Sequence, residues 1–241
     1  MGKELVLIHG WDTRFYSNRL NLNAPEPGIA WSDRKELVDL LKRKFEVKFF
    51  DLPGFCGKAE PNKDFYDIED FSDELNDWLS KEKIKPEGII GYSFGGAVAL
   101  NYKIRYKTEI PVILISPALS RSESSFSEIG SLSKSVIPNF AREQLKSVYQ
   151  SIFSKYYRLG SPFIKKSYDH IVRRDISPDL KRIPSEEVLL IYGVKDSSTP
   201  WKNVEELVEK TGINYVLVDG GHNIGETNAK GVFTEIIRFL K

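Results

Sequence analysis

Six short apolar runs recur along the chain, and they constrain its fold more than any other feature. Each run is nearly continuous and rich in valine, isoleucine or leucine, as expected for parallel strands that are covered on both faces. The runs are Leu5–Ile8, Val47–Phe50, Ile89–Ile90, Val112–Ile115, Val188–Tyr192 and Tyr215–Val218. Helical patterns lie between most of them. Strands that alternate with helices predict an α/β fold with a mostly parallel central sheet flanked by helices.

One long segment breaks this alternation. Between about Ala118 and Arg182 the sequence has no strand-like run but several amphipathic helical patterns, punctuated by prolines. We interpret it as a helical cap that is inserted over the strand ends. The predicted organisation is therefore an α/β core formed by residues 1–117 and 183–241, with the cap at 118–182. Among the helices of the core, one is predicted to open at Ser32, and two more cover about 203–210 and 230–240.

Length and composition limit the classes of function. A chain of 241 residues most readily forms one domain, and a formal net charge of +1 gives no case for a nucleic-acid or membrane partner. The single cysteine, Cys56, excludes an internal disulfide and a cysteine-rich metal site. The first apolar run has only four residues, too few for a signal peptide or a membrane span. We therefore expect a soluble, cytoplasmic protein. The sequence carries no signal for an oligomeric state.

The segment Gly91–Gly96, with the sequence Gly-Tyr-Ser-Phe-Gly-Gly, points to a catalytic serine. It follows one predicted strand and precedes a predicted helix, which is the context of the nucleophile-elbow motif. Gly91 and Gly95 leave space for a sharp turn at Ser93, and the helix directs its N-terminal N–H groups at the site. The alternative is a glycine-rich turn with an ordinary serine.

A serine nucleophile needs a positioned base, and the chain has three histidines. His222 is the best candidate, because it follows the last predicted strand in a glycine-containing loop. His9 follows the first strand and is expected to orient that loop. His170 lies in the predicted cap, where it is a surface or lid residue or, alternatively, a substrate contact.

The base in turn needs an acid that fixes its tautomer. Asp196 lies just past the fifth strand and is the preferred candidate. Asp51 also follows a strand, but the sequence around it is typical of a structural turn. Asp219 is too close in sequence to His222 to lie behind it. No acid follows the fourth strand directly, so that position is empty.

Two backbone N–H groups are expected to stabilise an oxyanion. One belongs to Phe94, the residue after the nucleophile. The other is expected from the loop His9-Gly10-Trp11, specifically from Trp11, whose side chain would wall the substrate pocket.

Taken together, these segments resemble the α/β-hydrolase superfamily over nearly the whole chain. The segments that carry the resemblance are His9–Trp11, Asp51–Phe55, Gly91–Gly96, Gly193–Asp196 and Gly220–His222. The resemblance implies a central parallel sheet, a helical cap and a Ser93–Asp196–His222 triad. The doubled glycine after the serine is similar to the branch of small carboxylesterases, pimeloyl-ester esterases, carbon–carbon bond hydrolases and proline iminopeptidases.

Three features depart from the family pattern. The first strand begins almost at Met1, so we expect the two leading antiparallel strands of the family to be missing. The polar stretch Asp12–Ala30 is longer than usual and either forms part of the pocket wall or is a surface loop. Cys56 stands in a turn where family members often carry Gly-x-Gly-x-Ser, and we expect it to be buried filler.

The sequence favours a serine hydrolase of carboxylic esters or related acyl compounds, with no metal or organic cofactor. Over Leu119–Arg182 there are 12 Lys and Arg against 6 Asp and Glu, interleaved with aromatic residues. This composition indicates either an anionic small-molecule substrate with an apolar part or a solvated helical face. The alternatives for function are a carbon–carbon bond hydrolase or lyase on the same scaffold, and a ligand-binding receptor with weak turnover.

Overall fold

A computed structural model describes residues 2–20, 26–120, 159–172 and 174–241. These residues form a six-stranded sheet in the order β2-β1-β3-β4-β5-β6, in which every neighbouring pair is parallel. The strands are β1 Glu4–Ile8, β2 Glu46–Phe50, β3 Gly88–Tyr92, β4 Val112–Ile115, β5 Val188–Gly193 and β6 Asn214–Val218. Each strand contains one of the predicted apolar runs. The predicted α/β fold with a parallel central sheet is therefore confirmed.

Helices connect the strands in the alternation that the sequence predicts. The described α-helices are α1 Lys35–Lys42, α2 Ile68–Lys81, α3 Phe94–Tyr106, α4 Pro162–Ile171, α5 Glu205–Thr211, α6 Ile224–Thr227 and α7 Ala229–Phe239. The helix expected to open at Ser32 begins instead at Lys35, after a 3-10 segment at Ile29–Arg34. Within that segment Asp33 binds Arg14 with an Nη2–Oδ2 distance of 2.6 Å, and no side-chain bond caps α1 at its start.

The two faces of the sheet form two hydrophobic layers. Because side chains alternate along a strand, Val6 and Ile8 of β1 face one layer, and Leu5 and Leu7 face the other. The first layer contains the apolar faces of α2 and α3, and the second contains those of α1 and α7. The helices of the two layers therefore cover both faces of the sheet. The loops at the carboxyl ends of the strands lie outside these layers.

The strand order reverses at β1, which lies between β2 and β3. The chain proceeds outward from β1 to β2 and then returns to continue through β3 on the other side. In open α/β sheets, ligands bind at the carboxyl ends of the strands beside such a reversal. The segments that follow β1 and β3 contain His9 and Ser93, so these two loops are neighbours at that point.

Most of the predicted cap, residues 121–158, lies outside the described residues, and its division from the core remains a prediction. The described remainder packs on the core through Phe163 and Ile164 of α4, which are buried in the first layer. Arg174 forms a two-pronged ion pair with Glu69 near the start of α2. None of the described helices combines the length and the apolar character needed to cross a membrane.

Candidate active site

Ser93 occupies a sharp turn between β3 and α3. Its backbone has φ 53° and ψ −117°, a left-handed conformation that is rare for a residue with a side chain and is often found at functional sites. The turn packs against the end of β1, where a Cβ atom at Gly95 would lie 2.3 Å from the carbonyl oxygen of Ile8. Only glycine fits at position 95, and the close approach places Ser93 at the tip of the turn.

The loop after β1 lies directly against this turn. A Cβ atom at Gly10 would lie 3.0 Å from the Cβ atom of Ser93 and 3.3 Å from the carbonyl oxygen of Tyr92. The N–H of the next residue, Trp11, donates to no described residue, and Phe94, as the first residue of α3, has no acceptor in its own helix. Two backbone donors therefore remain available beside Ser93.

Two consecutive hydrogen bonds connect Ser93 to His222 and His222 to Asp196. Nε2 of His222 lies 3.1 Å from Oγ of Ser93, and Nδ1 of the same ring lies 2.9 Å from Oδ2 of Asp196. Both distances are within hydrogen-bonding range. His222 comes from the loop after β6, and Asp196 from the loop after β5. The three residues predicted as a catalytic set from separate segments are therefore brought together in space.

The carboxyl group of Asp196 is buried and fully bonded. Oδ1 accepts the N–H groups of Ser198 and Thr199 at 2.8 and 2.9 Å, and Oδ2 contacts Oγ1 of Thr199 at 2.9 Å. Burial alone would raise the pKa of Asp196, but the bonds from His222 and Thr199 outweigh it and hold this pKa below its ordinary value. Asp196 is therefore an ionised acceptor for the Nδ1–H of His222.

A further set of residues holds the His222 loop, and no motif in the sequence points to them. The carbonyl oxygen of His222 lies 3.0 Å from both the Tyr92 hydroxyl and Oγ of Ser116. The Tyr92 hydroxyl also lies 2.6 Å from Oδ1 of Asn223, which accepts a second bond from Arg34 at 3.0 Å. These contacts fix the backbone that aims the imidazole at Ser93.

His9 is not part of the predicted catalytic set. Its ring is buried beneath the loop, where Nδ1 lies 2.8 Å from the carbonyl oxygen of Gly10 and Nε2 accepts the N–H of Leu52 at 3.1 Å. Burial lowers the pKa of His9 and keeps the ring neutral. His9 thus connects the loop after β1 to the turn after β2, in agreement with an orienting position.

One cluster among the described residues has the chemistry of metal ligands. Atoms of His9, Asp51 and Cys56 all lie within 4.8 Å of one another. Both ring nitrogens of His9 are already engaged, and burial together with Asp51 raises the pKa of the Cys56 thiol, which is therefore protonated. The cluster as it stands is a packed support beneath the loop, with Cys56 1 % exposed.

The rival candidates contact other residues instead of Ser93 or His222. Asp219 is exposed and paired with Lys195, with an Nζ–Oδ1 distance of 2.7 Å. Asp51 faces His9 rather than His222. His170 is exposed on α4 and stacks on Phe65 with 3.7 Å between ring centroids.

A cavity of about 380 Å³ opens onto Ser93 and His222. Its apolar wall comes from Trp11 and from α2, α3 and α4, and the Trp11 ring packs against Phe94 and Tyr168 at 5.2 and 5.6 Å between centroids. Its polar wall comes from residues 12–14, Arg34 and Asn223. The described ends of the stretch Asp12–Ala30 therefore form part of the wall, and Phe15 and Tyr16 within it are buried.

Comparisons with known proteins agree with this architecture. The family model described as "Alpha/beta hydrolase family" matches residues 5–235. A proline iminopeptidase of Thermoplasma volcanium is 28% identical over 137 residues, which are 56% of this chain and 43% of that protein. A pimeloyl-[acyl-carrier protein] methyl ester esterase of Wigglesworthia glossinidia brevipalpis is 25% identical over 170 residues, 69% of this chain and 55% of that protein.

Among solved structures, a bromoperoxidase from Bacillus anthracis has a TM-score of 0.67 at 20% identity and covers 100% of this chain and 92% of that one. At this level of identity the likeness concerns the fold alone. The match to the iminopeptidase spans less than half of the length of that relative. The family model covers nearly the whole chain, and on that ground this protein belongs to the α/β-hydrolase family.

Proposed function

We propose that this protein is a serine hydrolase that cleaves carboxylic esters or related acyl compounds of small molecules. The observation that carries the proposal is the hydrogen-bonded line from Ser93 through His222 to Asp196, at 3.1 and 2.9 Å, with the serine on a strained turn. Nucleophile, base and orienting acid in this order are the requirements for acyl transfer through a covalent intermediate.

In the proposed reaction, Oγ of Ser93 attacks the carbonyl carbon of the substrate while Nε2 of His222 takes the hydroxyl proton. The tetrahedral intermediate collapses, the bond to the leaving group breaks, and His222 gives its proton to the leaving oxygen. A water molecule, deprotonated by His222, then attacks the acyl-enzyme and releases the acid and Ser93. Asp196 stays ionised throughout and stabilises the imidazolium.

The negative charge of the intermediate needs preorganised donors. The N–H groups of Trp11 and Phe94 are the proposed pair, because both lack a described acceptor. Phe94 follows Ser93 in the chain, and Trp11 follows Gly10, which lies against Ser93. Removing one such donor typically costs about 10²–10³ in kcat. Gly10 allows the first donor to approach, since a Cβ atom there would lie 3.0 Å from Cβ of Ser93 and would press the loop away from the nucleophile turn.

The pocket supports an ester substrate better than a peptide with a free amino terminus. Among the described residues that line the cavity, Asp12 is the one carboxylate, and Arg14 binds it with an Nη2–Oδ2 distance of 2.6 Å. A substrate ammonium group would therefore meet no unpaired acid on this wall. The apolar wall of Trp11, Phe94 and Tyr168 fits a hydrocarbon group of the substrate.

The test is hydrolysis of p-nitrophenyl esters from acetate to decanoate by the wild-type protein and by Ser93→Ala. We expect turnover that is lost in Ser93→Ala, with a chain-length optimum set by the cavity. Labelling by a fluorophosphonate probe should likewise require Ser93.

Two other results would redirect the assignment. Labelling without turnover of any ester would mean a competent nucleophile and would favour carbon–carbon bond cleavage. Neither labelling nor turnover would refute the catalytic set and favour a ligand-binding protein.

A further inference from the structure

Among the described residues, three arginine side chains line the cavity beside Ser93, and they differ in their partners. Arg14 binds both Asp12 and Asp33 at 2.6 Å. Arg174 forms its two-pronged pair with Glu69. Arg34 has no ion pair with any residue in the part of the chain that the structure describes, although it is only 6 % exposed.

The described surroundings of Arg34 compensate its charge only in part, because Asp12, the carboxylate whose pKa Arg34 helps to lower, is itself bound by Arg14. Its guanidinium carbon lies 3.7 Å from the centre of the Tyr92 ring, and Nη2 donates to Oδ1 of Asn223. Its Nε atom is buried and has no hydrogen-bond partner among the described residues. A ring face and a neutral amide offset only part of the cost of burying a charge, which proteins usually meet with a carboxylate. An anion that enters the cavity beside Arg34 would supply the missing compensation.

The position of Arg34 indicates which part of the substrate carries that anion. Arg34 bonds to Asn223, the residue after His222, and stacks on Tyr92, whose ring centroid lies 5.4 Å from that of His222. In acyl transfer the base delivers its proton to the leaving oxygen, so the leaving group lies on the side of the base. The apolar wall at Phe94 and Trp11 is then left for the acyl group.

We propose that Arg34 binds a carboxylate on the leaving alcohol of the ester substrate. This inference rests on the proposed ester hydrolysis and adds a substrate class to it: an apolar acyl group esterified to an alcohol that bears an acid. The planar guanidinium fork suits a carboxylate, which it can hold through two parallel N–H···O bonds.

Matched pairs of esters test the proposal. The first pair is 3-carboxyphenyl butyrate and its neutral isostere 3-carbamoylphenyl butyrate, with the carboxylate on the leaving group. The second pair is the phenyl monoester of adipic acid and its terminal amide, with the carboxylate on the acyl side. Each kcat/KM is divided by the rate constant for hydrolysis of the same ester by hydroxide. Differences in the intrinsic reactivity of the leaving groups then cancel.

For the first pair, we expect the wild type to favour the carboxylate over the amide. Arg34→Gln should lower this ratio by about 10- to 100-fold, the cost of losing a charge-assisted hydrogen bond. Arg34→Lys, which keeps the charge without the fork, should give an intermediate ratio and a folded protein. Arg174→Gln is the control: it removes an arginine from the same cavity, but one already bound to Glu69, so the wild-type ratio should persist.

Three results would overturn the proposal. In the first, both esters of the pair slow equally in Arg34→Gln, which would assign Arg34 only to holding the His222 loop. In the second, the wild type hydrolyses 3-carboxyphenyl butyrate and 3-carbamoylphenyl butyrate with equal normalised kcat/KM. In the third, the preference appears in the adipate pair instead. Absence of Ser93-dependent turnover for all four esters, with no fluorophosphonate labelling, would refute the proposed function itself and is distinct from these.

Discussion

Gly10→Ala is the substitution whose effect follows most directly from the geometry of the site. The added Cβ atom would lie 3.0 Å from Cβ of Ser93 and 3.2 Å from Cδ1 of Tyr92. Carbon atoms pack best at about 3.5–4.0 Å, so the loop after β1 must withdraw on the order of 0.5 Å. The Trp11 N–H moves with it.

Loss of one oxyanion donor typically lowers kcat by about 10²–10³-fold. Displacement of the Trp11 N–H should come close to the smaller effect, which corresponds to about 2.7 kcal/mol in activation free energy. The assay is p-nitrophenyl butyrate turnover together with thermal unfolding. We expect kcat to fall about 100-fold, near the lower of those figures, while the loop, rather than the core, gives way and Tm drops by no more than a few degrees.

Gly212→Ala provides the matched control. Gly212 lies at the end of α5 with φ 68° and has no atom within 4 Å of an added Cβ. A left-handed alanine costs about 1 kcal/mol, which lowers Tm by about 2–4 °C in a chain of this size. Turnover should not change. If Gly10→Ala kept kcat within about twofold of wild type, the loop after β1 would not supply the oxyanion donor.

Two further predictions concern the catalytic set. Asp196→Asn should lower kcat by about 10⁴-fold, because the amide favours the wrong tautomer of His222. The pKa of Asp196 is lower in the folded than in the unfolded protein, where it is about 3.9, so ionised Asp196 adds to the free energy of unfolding at pH values above 3.9. This contribution is lost as the pH falls through the pKa of the folded state. Urea unfolding should therefore separate wild type from Asp196→Asn more at pH 7 than at pH 3. Ser93→Gly should unfold at a higher temperature than Ser93→Ala by the equivalent of about 1 kcal/mol, because glycine relieves the strained φ of 53°. Equal stability of these two variants would contradict the strain.

The sheet could be predicted from the sequence because each parallel strand is a local apolar run. The predicted β1 run, Leu5–Ile8, needs no knowledge of the rest of the chain, and Ser93 is fixed by glycines within three residues. The parallel topology then brings the residues after each strand to one edge of the sheet, which is why Asp196 and His222 could be named before any coordinates.

The supports of the site could not be predicted in this way. Ser116 and His222 are 106 residues apart, and Arg34 and Asn223 are 189 apart, so no local pattern links them. The turn at Asp196 is the exception, because an aspartate side chain commonly closes a turn by accepting nearby backbone N–H groups, here those of Ser198 and Thr199. The start of α1 was predicted wrongly, because residues 29–34 form a 3-10 segment that the helical pattern of the sequence does not distinguish from the first turn of an α-helix.

Cys56 has a consequence for how this molecule can be studied. It is the only cysteine of the chain, it is 1 % exposed, and its N–H donates to the carbonyl oxygen of Phe15 at 2.7 Å. A reagent such as a disulfide dye can reach its buried sulfur only after the residues packed around Cys56 move apart. The rate of colour formation therefore measures how often this region opens, without any engineered label.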